Sequence, residues 1–238
     1  MPSAQQIELD GAAEEAMGRP GADFRSLLHA IHSSNISNLS LVHPRGKVLF
    51  AEGEPARGAF ILRTGRATVS ISSSEGRVVI LRVAQAGDVL GLNSVLRNAS
   101  HNTTVKTIEL CRTDFITRKE LLDLIENNKP ASQAISHMLS SEIAELTERA
   151  RSLLLPQTAN ARLANLLLEW SEQSGTNKSQ ALHITNSFTH EEIAHMICSS
   201  RETVTRLLAS LSRRRIIRIT PGSILISDRA ALQKIAAG

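Results

Sequence analysis

The chain has 238 residues, 42% of them hydrophobic, which supplies one large core or two ordinary ones and excludes a disordered protein. Its formal net charge of +4 is too small to establish a nucleic-acid partner, so the placement of charge has to carry that question. The longest apolar stretches, Val78 to Ala84 and Ile216 to Ile219, are interrupted by Arg and fall far below the roughly 20 residues that span a bilayer, which predicts no membrane partner.

Residues 1–22 carry Ala, Gly and acids but no basic region followed by an apolar core, so they read as a flexible tail and the chain as cytoplasmic. A first amphipathic helix follows, with Phe24, Leu27, Leu28 and Ile31 at helical spacing. Beyond it the pattern turns to sheet. Short runs (Lys47 to Phe50, Ala59 to Arg63, Ala67 to Ser72, Val78 to Val83, Thr103 to Cys111) are punctuated by Gly53, Gly58, Gly65, Gly76 and Gly87, as in an antiparallel barrel or a double-sheet jelly roll. This defines a sensor domain over residues 23–128.

Residues 129–155 read as a long helix. Leu139, Ile143, Leu146, Ala150 and Leu153 are spaced four, three, four and three, a heptad seam suited to a second copy of itself, so the expected state is a homodimer. Pro156 breaks the pattern, Ala159 to Glu172 restarts as a helix ending near Gly175, and SEQSGTNKSQ reads as a loop.

From Phe188 the signals agree with one another. Thr189 and Glu192 form a capping box, with Phe188 and Ile193 at the staple positions, so a helix starts here and runs to the break at Cys198, Ser199 and Ser200. Ser200 can cap a second helix. On that helix Val204, Leu207, Leu208 and Leu211 share one face, while Arg201, Glu202, Thr205 and Arg206 share the opposite one. Planar bidentate donors suit guanine and a carboxylate suits the cytosine amino group, so the outward face is a reading face for duplex DNA. The bland alternative is a solvated face with a Glu202–Arg206 salt bridge. Arg213, Arg214 and Arg215 close the helix, and Ile216 to Thr220, Pro221-Gly222 and Ser223 to Ser227 make a strand, turn and strand that read as a wing with phosphate-binding arginines. Residues 156–238 thus form a winged helix-turn-helix, and the whole chain an α+β protein.

The stretches FAEGEPARGAFILRTGRATVSI, AGDVLG, FTHEEIAHMI, SSRETVTRLL and ILISDRAAL resemble the Crp/Fnr transcription regulators, the group of the cyclic-AMP receptor protein, over nearly all of the chain after residue 25. The resemblance implies a cyclic-nucleotide-binding-like jelly roll, a dimerisation helix and a partnership with RNA polymerase. It also implies that Arg201, Glu202 and Arg206 contact bases. The DNA-reading set is then Ser199, Ser200, Arg201, Glu202, Thr203, Thr205 and Arg206, with Arg214 and Arg215 on phosphates, and half-sites resembling TGTGA with inverted TCACA. Where the family has Gly in the interhelical turn, this chain has Cys198, a residue whose Cβ is strained in a left-handed backbone.

The effector pocket departs from the family. Gly91, Leu92, Asn102, Thr103 and Thr147 occupy the matching positions, but Leu92 stands where relatives present Glu to the ribose and Asn102 where they present Arg to the cyclic phosphate. A buried phosphate needs that charged partner, so cyclic AMP is not expected, and the effector is unidentified. Two cysteines, Cys111 and Cys198, cannot hold an iron-sulfur cluster and read as reduced thiols. Haem stays open, with no His marked out for it. His190 and His195 are five apart and point away from each other, unlike a zinc-protease pair, while His29 and His32 lack a third ligand, so no metal site and no enzyme is expected. The alternative function is a regulatory module that does not bind DNA and whose C-terminal helices dock a protein partner. The two exposed arginines and the glutamate of the second helix distinguish the readings, because docking does not need them.

Overall fold

The computed structural model describes residues 21–34, 36, 39–154, 158–173, 182–185 and 188–237. They fall into two compact units. The first comprises the described residues up to Gly76 with Leu81–Leu146, and the second Arg77–Ile80 with those from Thr147 onward.

In the first unit, α1 (Ala22–Ser33) buries Phe24, Leu27, Ala30 and Ile31, with Leu28 only half-buried. The strands are β1 (Leu39–His43), β2 (Val48–Phe50), β3 (Gly58–Thr64), β4 (Arg66–Ser72), β5 (Val78–Gln85), β6 (Val89–Leu90), β7 (Thr104–Thr107) and β8 (Cys111–Thr117). They form two four-stranded sheets, in the orders β1-β8-β3-β6 and β2-β7-β4-β5, and the pairs β1–β8, β3–β8, β3–β6, β2–β7 and β4–β7 are antiparallel. This is the double-sheet jelly roll. Alternation along β3 shows how its core is divided: Ala59 and Ile61 face the helices, while Leu62 joins Phe50, Val69, Ala84 and Val105 between the sheets.

Three helices complete the unit: α2 (Leu92–Leu96), α3 (Arg118–Asn127) and the first part of α4 (Lys129–Leu154). They pack Leu92, Val95, Leu121, Leu124, Ala131 and Ile135 against the α1 face of the sheet. Gly65 carries the β3–β4 turn at φ +86°, where a Cβ would lie 2.4 Å from the Leu110 carbonyl, so no other residue fits without displacing backbone.

Two sequence expectations change here. The run from Thr103 to Cys111 is not one strand but parts of two, because the chain leaves one sheet after Thr107 and enters the other at Cys111. Buried Ile108 anchors the crossing through its N–H to the Arg66 carbonyl at 2.9 Å, and neither Gly nor Pro marks the bend. The helix α3 was not anticipated, although Thr117 and Glu120 form a capping box at its start.

The second unit contains the end of α4, α5 (Ala159–Gln173), β9 (Leu182–Thr185), α6 (His190–Met196), α7 (Arg201–Arg213), β10 (Ile217–Thr220), β11 (Ser223–Ile226) and α8 (Arg229–Ala236). Helix α5 buries Ala161, Leu163, Ala164, Leu167 and Trp170. The expected two-stranded wing is a three-stranded sheet in the order β10-β11-β9, since Leu182–Thr185 pairs antiparallel with β11. Pro156, Gly175 and residues 174–180 of the SEQSGTNKSQ loop lie outside the described residues.

Candidate nucleic-acid interface

The interface is built on two capped helices. At α6 the Thr189 hydroxyl accepts the Glu192 N–H at 3.2 Å and the Glu192 carboxylate accepts the Thr189 N–H at 2.7 Å. Phe188 and Ile193 are buried on either side, and Phe188 stacks on Trp170 with ring centroids 4.8 Å apart. The helix ends in a Schellman motif: the Ser199 N–H reaches back to the Ala194 carbonyl at 3.0 Å across Cys198, whose φ is +48°. The strained cysteine expected in the interhelical turn is therefore present, and it is exposed.

Ser200 opens α7 by accepting the Thr203 N–H at 3.2 Å. Val204, Leu208 and Leu211 are buried, Leu207 is half-buried, and Arg201, Glu202, Thr205 and Arg206 are exposed, so the helix sorts into an inner and an outer face. Glu202 is not set by Arg206. Its own backbone N–H at the helix start, the Ser200 hydroxyl and then Arg201 hold its carboxyl below the usual carboxylate value, keeping it an acceptor. The Thr205 hydroxyl donates to the Arg201 carbonyl at 2.9 Å and lies 2.8 Å from His190 Nδ1, so its side chain is engaged within the protein.

Helix α7 closes with a second Schellman motif, in which the Ile216 N–H reaches the Leu211 carbonyl and the Arg215 N–H the Ser212 carbonyl. Arg215 takes the left-handed position at φ +59°, with Arg213, Arg214 and Arg215 all exposed. Pro221 and Gly222 make the tight turn between β10 and β11, Gly222 at φ +75°.

Two residues outside the helix-turn-helix pattern were not anticipated. Arg149 of α4 donates to the Met196 carbonyl, and Arg162 of α5 donates through Nε to the Ile197 carbonyl at 2.7 Å. No local sequence signal marks them, because their partners are backbone atoms 47 and 35 residues away.

On α4, Ile143 is 65% exposed and Ala150 is exposed, Leu146 and Leu153 are half-buried, and Leu139 packs partly on the α1 core. Of the effector positions, Gly91 begins α2 at φ +81°, Leu92 is buried in the helical core, the Asn102 amide oxygen accepts the Ser94 hydroxyl at 3.4 Å, and Thr103 is half-buried. Thr147 is exposed on α4 and belongs to the second unit. A cavity of about 260 Å³ in the first unit is lined by Phe24, Arg82, Asp88, Leu92, Glu142 and Glu145, among others. Arg82 is its guanidinium, 2.6 Å from Asp88 and 3.6 Å from Glu142. Burial opposes its charge, but Asp88, Glu142 and Glu145 outweigh that and raise its pKa. Among the described residues no group of three or more His, Cys, Asp or Glu forms a metal-binding cluster, and no helix is long and apolar enough to cross a membrane.

Residues 41–128 match the cyclic nucleotide-binding domain family and residues 161–235 the Crp-like helix-turn-helix domain family. A CRP-like cAMP-activated global transcriptional regulator of Mycobacterium tuberculosis is 30% identical over 193 residues, covering 81% of this chain and 86% of that protein. The structure of FixK2 from Bradyrhizobium japonicum shares the fold, with a TM-score of 0.73 at 22% identity over 85% of this chain and 99% of that one. So does the c-di-GMP responsive global regulator CLP of Xanthomonas campestris, with a TM-score of 0.72 at 17% identity over 85% and 98%. A jelly roll of the cyclic nucleotide-binding type, a long helix and a winged helix-turn-helix define a DNA-binding transcription regulator. The chain belongs to the Crp/Fnr family of these regulators.

Proposed function

We propose that the chain acts as a cytoplasmic homodimer, reading TGTGA-like half-sites in a two-fold palindrome under the control of an effector other than cyclic AMP, and working beside RNA polymerase. The observation that carries the reading is the outer face of α7, where Arg201, Glu202 and Arg206 stand exposed beside a Ser200-capped N-terminus. Arg206 and Arg201 supply bidentate donors for guanine, and Glu202 supplies an ionised acceptor for the cytosine amino group. Ser199, Ser200, Thr203 and Thr205 line the same end of the helix, and Arg214 and Arg215 neutralise phosphates beside the wing.

Exposed Ile143 and Ala150, with Leu139, Leu146 and Leu153, give α4 an apolar seam for a second copy. Two-fold symmetry then sets the recognition helices about 34 Å apart, one turn of duplex. The effector differs from cyclic AMP because Leu92 is committed to the core and Asn102 hydrogen-bonds Ser94, so neither position offers the partners that the ribose and the cyclic phosphate need.

Selection from random duplexes, with sedimentation of the protein alone and on the enriched site, tests the reading. A palindrome with a conserved G·C pair in each half, bound by a dimer, is the expected result. Absent or salt-insensitive duplex binding would instead leave a module that docks a protein partner, and a monomer at micromolar concentration with and without DNA would remove the seam.

A further inference from the structure

Helix α6 ends with carbonyls that lack partners within the helix, as every helix does. Three consecutive ones, from Met196, Ile197 and Cys198, lead into the turn that launches the recognition helix. Each is met by a guanidinium from outside the motif. Arg149 Nη2 donates to the Met196 carbonyl. Arg162 Nε donates to the Ile197 carbonyl at 2.7 Å and its Nη2 reaches the Cys198 carbonyl at 3.5 Å.

The turn they hold is not self-sufficient, because Cys198 occupies a left-handed conformation without the freedom of glycine. Cations at a helix C-terminus also meet the negative end of its dipole. We propose that Arg149 and Arg162 are positioning residues: by clamping the α6–α7 turn they fix the angle at which α7 meets the major groove, and so set sequence discrimination without contacting DNA. Arg162 meets its two carbonyls through different nitrogens, Nε and Nη2, a spread that a planar guanidinium provides and the compact ammonium of lysine does not. Burial depresses the pKa of Arg149, with Cys198 and Glu169 opposing the shift, as befits a cation turned into the protein.

The inference rests on the DNA-reading function above, and its test separates the two. Full-length R149K and R162K keep the charge and lose the fork. Three quantities are measured: amide hydrogen exchange over residues 198–203, affinity for the selected operator against a random duplex, and the salt dependence of each. Faster exchange is expected in the turn, with operator affinity down roughly ten- to a hundredfold, as for loss of charge-assisted hydrogen bonds. Random-duplex affinity and the salt slope should stay as in the unsubstituted protein. Equal weakening on both duplexes with a salt slope smaller by about one would make these arginines phosphate contacts and overturn the proposal. Unchanged exchange and discrimination in both variants would overturn it too. If the unsubstituted protein bound no duplex, the DNA-reading function would fall, and the exchange measurement alone would support or sink the clamp.

Discussion

The imidazole of His190, at the start of α6, sits 2.8 Å from the hydroxyl of Thr205, in the second turn of α7. The same hydroxyl lies 2.9 Å from the Arg201 carbonyl, so both contacts are satisfied together when His190 Nδ1 carries the proton. The bond ties the first helix of the motif to the second. H190A should therefore lower the stability of the second unit by about 0.5–1.5 kcal/mol, the net worth of one hydrogen bond. Trp170, the single tryptophan, stacks on Phe188 two residues before His190 and reports the change by fluorescence during urea unfolding. An unshifted midpoint would show that the pair contributes nothing.

Arg206 and Arg214 are both exposed, yet they should behave differently. Arg206 lies on the exposed face of α7 proposed to read bases, so R206A should cost about 1–3 kcal/mol on the operator and relax preference at one G·C pair. Arg214 caps the helix beside the wing, so R214A should weaken all sequences alike and reduce the salt slope by about one. Competition between operator and scrambled duplexes at several salt concentrations checks both, and a uniform loss for R206A would refute its role.

Much of this was readable because short-range chemistry fixes it. The capping box of Thr189 and Glu192, the Ser200 cap and the two faces of α7 depend on residues three or four apart, and all three appear as expected. What was not readable depends on distant partners. Strand β1 carries exposed Leu39 and Val42, so its pattern does not alternate cleanly, and β8 defines it by pairing from far along the chain, as in His43 with Cys111. The clamp by Arg149 and Arg162 was hidden for the same reason, since backbone carbonyls leave no mark in sequence. The likeness of SSRETVTRLL to known recognition helices added the base-reading roles, which periodicity alone does not assign.

Cys198 gives a prediction about stability. Its φ of +48° costs a residue with a Cβ roughly 1–2 kcal/mol, against the 0.5–1 kcal/mol that glycine loses in chain entropy. The thiol is exposed, so little packing is lost on its removal. C198G should raise stability by up to about 1 kcal/mol, seen as a higher urea midpoint with an unchanged slope. A lower midpoint would mean that the thiol makes a contact worth more than the strain.

The jelly roll should weaken in mild acid. His43 is held below its ordinary pKa, first by burial and then by Lys47. His101, stacked on Phe50 at 3.8 Å, is held down by burial, with Glu54 pulling the other way. Both rings are neutral when folded and take up protons when unfolded at a pH below about 6.5, so the unfolded state binds more protons there. Their contribution is complete above that pH and is lost as pH falls toward the folded values, at no more than about 1.4 kcal/mol per pH unit for each histidine. Urea midpoints of H101F between pH 7.5 and 5 should fall less steeply than those of the unsubstituted protein. Parallel curves would exclude His101 from the effect.

Cyclic AMP should give no heat in calorimetry and no change in operator affinity, and the reason is packing as much as charge. Leu92 is 3% exposed and belongs to the core with Phe24, Val95 and Ile116, so the position that offers a ribose ligand in relatives is here a piece of hydrophobic interior. Restoring the family's residue is therefore not a simple reversal. L92E would remove a core side chain and add a carboxylate beside Asp88, Glu142 and Glu145, and should destabilise the jelly roll in place of creating a ligand site. Asn102 is exposed, so N102R should be tolerated, but its guanidinium alone supplies the phosphate contact without the ribose one. N102R should accordingly fold as the unsubstituted protein does and still fail to respond to cyclic AMP. Micromolar binding of cyclic AMP by the unsubstituted chain, strengthening its hold on DNA, would overturn this and require that the nucleotide be seated by groups other than those at positions 92 and 102.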